Sequence, residues 1–215
     1  MQDYQKEFIE FAIKNRVLCF GDYVLKSGRH SPYFFNSGLF NDGASLAQLG
    51  QYYASAIHAS NMDFDMLFGP AYKGIPLAST VAIALANSYR RNVPFCFNRK
   101  EIKDHGEGGE IFGAPLSGNI LIVDDVISAG TSVNISADII RKSGANPVGV
   151  AVAMDRQERG AGSFSAVQEV EQRHKIRVIS IVTLDHMIEY LETLPGMREN
   201  LVKIRQDRQE YGVSR

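Results

Sequence analysis

The sequence predicts an α/β fold with a central, mostly parallel sheet flanked by helices. Two observations carry this. Short apolar runs alternate with helical patterns along the chain, and runs such as ILIV (120–123) and PVGVAVAMD (147–155) are continuous rather than alternating. Continuous runs suit strands buried on both faces of a parallel sheet. A chain of 215 residues with 45% hydrophobic content can build one such domain with a sizeable core, and no linker, repeat or low-complexity tract divides it.

The elements follow in order. DYQKEFIEFAIKN places Tyr4, Phe8, Phe11, Ala12 and Asn15 at helical spacing. Residues 18–40, rich in aromatics, Gly and Ser, read as short strands and turns. SLAQLGQYYASAIHAS (45–60) is a second helix with Ser45 as its expected N-cap. DMLFG (65–69) is a buried strand, IPLASTVAIALANSY (75–89) a core helix, and PFCFN (94–98) a further strand. The pattern breaks over 99–113. ILIVDD is a strand and SVNISADIIRKSG a helix ending at Gly144. PVGVAVAMD and IRVISIVTL (176–184) are two more buried strands, and DHMIEYLETL and MRENLVKIRQDRQEY close the chain as helices.

Composition narrows the function. Charged residues are 22% of the chain and the net charge is −1, so no global basic bias points to nucleic acid. No apolar stretch is long enough to span a membrane, and the N-terminal MQDYQKEFIEF lacks an apolar signal core. Cys19 and Cys96 sit among apolar residues without metal or redox spacing, as expected of reduced packing residues in a cytoplasmic protein.

Ligands on parallel sheets bind beyond the carboxyl ends of the strands, and four segments fall there. The first is ILIVDDVISAGTS (120–132). Asp124 and Asp125 are followed by Val126, Ile127, Ser128, Ala129, Gly130, Thr131 and Ser132, and then by a helix. Free N–H groups and the positive dipole end favour a phosphate there, Gly130 permits close approach, and the hydroxyls donate. The Gly-Lys-Ser/Thr ending of a Walker loop and the Gly-x-Gly-x-x-Gly dinucleotide fingerprint are both missing. Alone, two acids before a helix make an ordinary turn and cap. Together with the loop they suit a phosphate whose next group is a sugar offering hydroxyls.

The second segment, FGPAYKG (68–74), is either a plain strand-to-helix turn with a solvated lysine or a second anion site using Lys73. The third, NRKEIKDHGEGGEIFG (98–113), carries Arg99, Lys100, Lys103, His105 and several glycines. It reads either as a loose hairpin or as a cationic loop that closes over a ligand. The fourth pairs KSGRHSPYFFNSG (26–38) with AMDRQERG (153–160). Lys26 and Arg156, read singly, are surface charge. Read together they clamp a planar anion, with Arg156 as a carboxylate fork and Phe34 and Phe35 as a wall.

The stretch 120–132 resembles the phosphoribosyl-diphosphate (PRPP) signature of the type I phosphoribosyltransferases, and the other segments resemble the orotate-using branch of that family over nearly the whole chain. The resemblance implies a type I phosphoribosyltransferase fold in a single domain, with a hood formed mainly by about 18–40 and a mobile lid at about 99–113. It implies that Asp124 and Asp125 hold the ribose hydroxyls and that 126–132 hold the 5-phosphate. Tyr72 and Lys73 take the diphosphate. The lid residues Arg99, Lys100, Lys103 and His105 reach the neighbouring subunit's site in a homodimer. Arg156 faces the orotate carboxylate, with Lys26, Phe34, Phe35 and Ser128 also at the substrates. Ser128 stands where threonine is expected in many relatives, which keeps the hydroxyl. The implied reaction transfers ribose 5-phosphate from PRPP to orotate in pyrimidine biosynthesis. Lys103 is the candidate for neutralising or protonating the leaving group. Mg²⁺ enters with PRPP, with no certain protein ligand. A purine phosphoribosyltransferase and a PRPP-sensing regulator are the competing readings; the hood and Arg156 argue against the first, and the lack of an added domain or basic bias against the second.

Overall fold

The computed structural model describes residues 1–25, 28–103, 109–160 and 162–213; side chains at 100–103 lie outside that description. Lys26 and His105 therefore fall outside the described residues, as do the side chains of Lys100 and Lys103.

Helix α1 (Asp3–Lys14) leads into an antiparallel pair, β1 (Leu18–Val24) and β2 (His30–Phe35), which form a small sheet of their own. A 3-10 turn (Ser37–Leu39) and α2 (Gly43–Ala59) follow. The main sheet is built from β3 (Met66–Gly69), α3 (Gly74–Tyr89), β4 (Phe95–Lys103), β5 (Gly109–Gly113), β6 (Asn119–Val123), α4 (Thr131–Lys142), β7 (Asn146–Asp155), α5 (Ala166–His174) and β8 (Arg177–Thr183). Helices α6 (Leu184–Glu192) and α7 (Arg198–Tyr211) end the chain. The strand order is β5-β4-β3-β6-β7-β8, with only the β4–β5 pair antiparallel.

Burial explains the continuous apolar runs. In β6, Leu121 and Val123 join the core beneath α1, α2, α3 and α6, whereas Ile120 and Ile122 join the core beneath α4 and α5. Every residue from Ile120 to Val123 is fully buried, so neither face tolerates a polar side chain. The chain runs from β3 outward to β4, and from β6 in the opposite direction to β7. The crevice at the β3–β6 boundary is thus a topological switch point, where α/β sheets bind ligands.

Three expectations need correction. Helix α2 is capped by Asp42, which accepts from the Ala44 and Ser45 N–H groups at 2.9 Å each; Ser45 is the third helical residue and reaches back to the Asp42 N–H. The strand expected to stop at Asn98 continues to Lys103, because its outer residues pair with β5 in a hairpin. Helix α5 was not expected at all. It is short and largely polar, but Ser165 and Gln168 form a capping box that marks its start.

Close packing at the switch point rests on Gly69 and Gly74. A Cβ on Gly69 would press into the Gly74 carbonyl and stand 2.9 Å from the Ala78 Cβ. Since the obstacle is backbone, it has little freedom to yield. Gly69→Ala should lower the unfolding free energy by about 1–3 kcal/mol, read from the urea midpoint. An unchanged midpoint would show that the turn has room after all.

Candidate active site

The acid pair stands where β6 ends, and backbone hydrogen bonds carry it past the strand. The Asp124 N–H donates to the Ala151 carbonyl at 3.0 Å, and the Ala153 N–H donates to the Asp125 carbonyl at 2.9 Å. From the other face of the sheet, the buried Tyr53 hydroxyl donates to the Asp124 carbonyl at 2.7 Å. Asp124 and Asp125 are both buried, at 7% and 8% exposure. The Asp124 Oδ1 accepts the Asp125 N–H at 2.9 Å. Burial pushes the Asp124 carboxyl up to about 6; hydrogen bonds from Ser132 and the Asp125 N–H, and the charge of Lys73, only partly oppose it. On Asp125, Oδ2 accepts the Lys73 ammonium at 2.6 Å and the Ser37 hydroxyl at 2.7 Å. Lys73 is 58% exposed at its side chain, so this is a half-open ion pair.

Behind the acids lies the start of α4. Gly130 caps it with φ +69°, a left-handed conformation natural to glycine, and its carbonyl accepts the Asn134 N–H. Ser128, Ala129, Thr131 and Ser132 are exposed at this helix start. Val126 and Ile127 are half-buried and pack into the two cores, so what they offer a ligand is backbone. A brace supports the first turn. Arg141 donates to the His174 Nδ1 at 3.0 Å, and since arginine only donates, that nitrogen accepts and Nε2–H is left to donate to the Asn134 Oδ1 at 2.6 Å. Burial and the Arg141 charge hold His174 below its ordinary pKa, in keeping with the neutral form. A cleft of about 500 Å³ opens between α4 and α5 beside Gly130, lined by Ala129, Asn134, Ala166 and Glu169 among others.

The loop after β3 brings Tyr72 and Lys73 to the same edge. The Ala71 N–H donates to the Asn98 Oδ1 at 2.9 Å, which ties this loop to β4, and Tyr72 is 64% exposed. Arg99 lies over the Phe112 ring at 4.8 Å, across the β4–β5 hairpin.

Arg156 follows β7 and is held from three sides. Its Nη2 donates to the Glu158 Oε1 at 2.7 Å and to the Ser31 Oγ at 3.0 Å, and its guanidinium lies over the Tyr33 ring at 4.2 Å. One nitrogen of the expected fork is therefore already engaged; Nη1 and Nε have no partner among the described residues. Burial raises the Glu158 carboxyl, but the charges of Arg156 and Arg29 outweigh it and hold the group below its usual value. Phe34 is 38% exposed and stacks on Tyr23 at 5.5 Å. Phe35, on the opposite face of β2, packs against Phe8 at 6.4 Å and belongs to the edge of the core.

The structure thus gathers Tyr72, Lys73, Asp124, Asp125 and the 126–132 loop at one strand edge, with Arg156 and Phe34 on the elements nearer the small sheet. Ser37, Tyr53 and Asn98 were not foreseen. Ser37 and Asn98 lay inside the segments 26–38 and 98–113 singled out by sequence, without being named there; Tyr53 lay in none, and no local pattern marks it.

A sequence model of the family described as Phosphoribosyl transferase domain matches residues 40–186. The chain is 57% identical over 214 residues to an orotate phosphoribosyltransferase of Yersinia pestis, covering all of both chains. Among solved structures it is similar to orotate phosphoribosyltransferase of Francisella tularensis, with TM-score 0.88 and 42% identity over 96% of this chain and 100% of that one. It also shares its fold with Leishmania donovani UMP synthase, at TM-score 0.74 and 20% identity, over 95% of this chain and 42% of that one.

The buried Asp124 has a pH signature. Its folded pKa lies above its ordinary value of 3.8, so ionising it costs stability. That cost is complete above about pH 6 and vanishes as pH falls through the unfolded value. Asp124→Asn should therefore raise the stability of the ligand-free protein at pH 7.5 by roughly 1–3 kcal/mol, and by less at pH 5. Thermal melts at both pH values check this; a variant no more stable at pH 7.5, or a gain that grows at pH 5, would contradict the buried-charge account.

Proposed function

The chain belongs to the phosphoribosyl transferase family, among its orotate phosphoribosyltransferases, and from that premise we propose which residues carry each part of the reaction. The enzyme transfers ribose 5-phosphate from PRPP to orotate, giving orotidine 5′-monophosphate and diphosphate in pyrimidine biosynthesis. A ring nitrogen of orotate bonds to the ribose C1′ and gives up its proton as the bond from C1′ to the diphosphate oxygen breaks; that electron pair leaves with the diphosphate, which can take up the proton. Positive charge grows at C1′ and negative charge on the leaving group. The protein's tasks are positioning and charge stabilisation.

One observation supports the assignment above all: two buried carboxylates stand beside an exposed hydroxyl-bearing helix start, with Lys73 2.6 Å from Asp125. Ser128, Ala129, Gly130, Thr131 and Ser132, with the backbone of Val126 and Ile127, receive the 5-phosphate. Asp124 and Asp125 accept the ribose hydroxyls. Lys73 and Ser37 donate to Asp125 Oδ2; ribose hydroxyls take over that role and release the ammonium toward the diphosphate beside Tyr72. Arg156 receives an oxygen of the orotate carboxylate through a remaining donor, Nη1–H or Nε–H, since both two-donor edges of the guanidinium include the engaged Nη2. Phe34 and Lys26 flank the ring from the hood, with Ser128 near it; Phe35 supports the hood from within.

Mg²⁺ supplies charge neutralisation on the phosphate oxygens when bound. The all-oxygen donors here, carboxylate and hydroxyl, fit it. Among the described residues no group of three or more His, Cys, Asp or Glu could hold a metal ion. Cys19 and Cys96 are free thiols, and no helix among the described residues is long and apolar enough to cross a membrane; we place the reaction in the cytoplasm.

The lid completes the reading. Arg99, Lys100, Lys103 and His105 serve the partner's site in a homodimer, with Lys103 the candidate for neutralising or protonating the leaving group.

Two experiments test these roles. Arg156→Ala should raise the KM for orotate by roughly 10- to 150-fold, the equivalent of about 1.5–3 kcal/mol, and leave the KM for PRPP nearly constant. A rise in the PRPP value alone would assign Arg156 to the other substrate. For the shared site, Lys103→Ala and Asp125→Asn subunits, each nearly inactive, are co-refolded in equal amounts. Half the dimers are then mixed and hold one intact site of two, so activity should return to about a quarter of wild type. Mixed dimers confirmed by differential tags yet inactive would remove the cross-subunit lid.

A further inference from the structure

We propose that Arg29 is a positioning residue for base specificity: acting through Glu158, it keeps Arg156 open to the substrate's carboxylate. The inference rests on the reading of Arg156 given above.

Each oxygen of Glu158 has its own partners. Oε1 accepts Arg156 Nη2 at 2.7 Å and the Tyr33 hydroxyl at 3.2 Å, and Oε2 accepts Arg29 Nη2 at 2.6 Å. Arg29 is fixed in turn. Its Nη1 donates to Asp207 Oδ1 on α7 at 3.1 Å, and its guanidinium lies over the Tyr211 ring at 4.2 Å. The side chains of Arg29, Glu158 and Arg156 are 17%, 16% and 20% exposed, so these pairs are shielded from water. An arginine and a carboxylate prefer two parallel hydrogen bonds. Glu158 makes only one to Arg156, because Arg29 holds its second oxygen. If Arg29 were removed, that oxygen would need a new donor, and the spare Arg156 nitrogens are at hand. Glu158 would then close on Arg156 as an internal substitute for the substrate carboxylate. The backbone between them adds constraint. Gln157 has φ +52°, rare for a residue with a side chain, and exchanges two hydrogen bonds with Asp185 at 2.9 Å each. The segment bearing Arg156 and Glu158 is thus held in place, and the choice left to Glu158 is rotameric.

The test compares Arg29→Met with wild type, Arg156→Ala and the double variant. Arg29→Met should raise the KM for orotate at least fivefold while the KM for PRPP stays within twofold. Arg29→Lys retains a charge but not a fork that bridges Glu158 and Asp207, and should shift orotate in the same direction by less. Because Arg29 acts through Arg156, the double variant should have the orotate KM of Arg156→Ala alone. Effects that multiply in the double variant, or equal rises in both KM values for the Met and Lys variants, would overturn the proposal. If Arg29→Met does not fold, the Lys variant carries the same comparison. An orotate KM unchanged by Arg156→Ala would instead remove the reading of Arg156 on which the proposal stands, and the proposal with it.

Discussion

Two neighbouring carboxylates at the end of a strand buried on both faces set the terms for everything around them. Asp124 and Asp125 cannot retreat into solvent, because β6 is enclosed by a core on each side and their backbone is bonded to β7 and Tyr53. They cannot be left bare either, since a buried charge without partners is costly. The surrounding structure supplies those partners: a backbone N–H for Asp124, and a lysine and a serine for Asp125. The stabilisation is incomplete, as the raised pKa of Asp124 shows.

Sheet topology turns that local requirement into a site for a large, highly charged substrate. At the β3–β6 boundary the connections diverge, so the β3 loop with Lys73 and the β6 loop with its helix start face one crevice. Lys73 and the start of α4 therefore lie on either side of the acids, the arrangement from which the roles of a phosphate loop and a diphosphate loop are proposed. Gly69 and Gly74 allow the β3 loop to lie this close, while the Asn134–His174–Arg141 brace steadies the opposite wall.

On the proposed roles, the second substrate falls to elements added around the sheet. Arg156 leaves β7 beside β2 and α7, so its charge is shared among Glu158, Arg29 and Asp207 rather than exposed alone. Burial holds Asp207 above its ordinary pKa despite Arg29. Two arginines and two carboxylates thus make up the network. On the proposed roles, base recognition draws on the chain's last helix, far in sequence from the 126–132 loop.

The sequence by itself determined the α/β class, most of the strands and the whole 120–132 stretch, because periodicity and turn chemistry are written in adjacent residues. The family resemblance rested on the same contiguous motifs. Local reading faltered where two local signals competed or were faint: at the start of α2, where Asp42 rather than Ser45 caps, and at α5, a short polar helix. Only the tertiary structure decided that Ser37 meets Asp125 across 88 positions, that Arg29 meets Glu158 across 129, and that Phe35 turns toward the core while Phe34 does not. Such pairings follow from strand order and from the β1–β2 register, which bring distant residues within hydrogen-bonding reach, and no pattern in neighbouring residues encodes that distance.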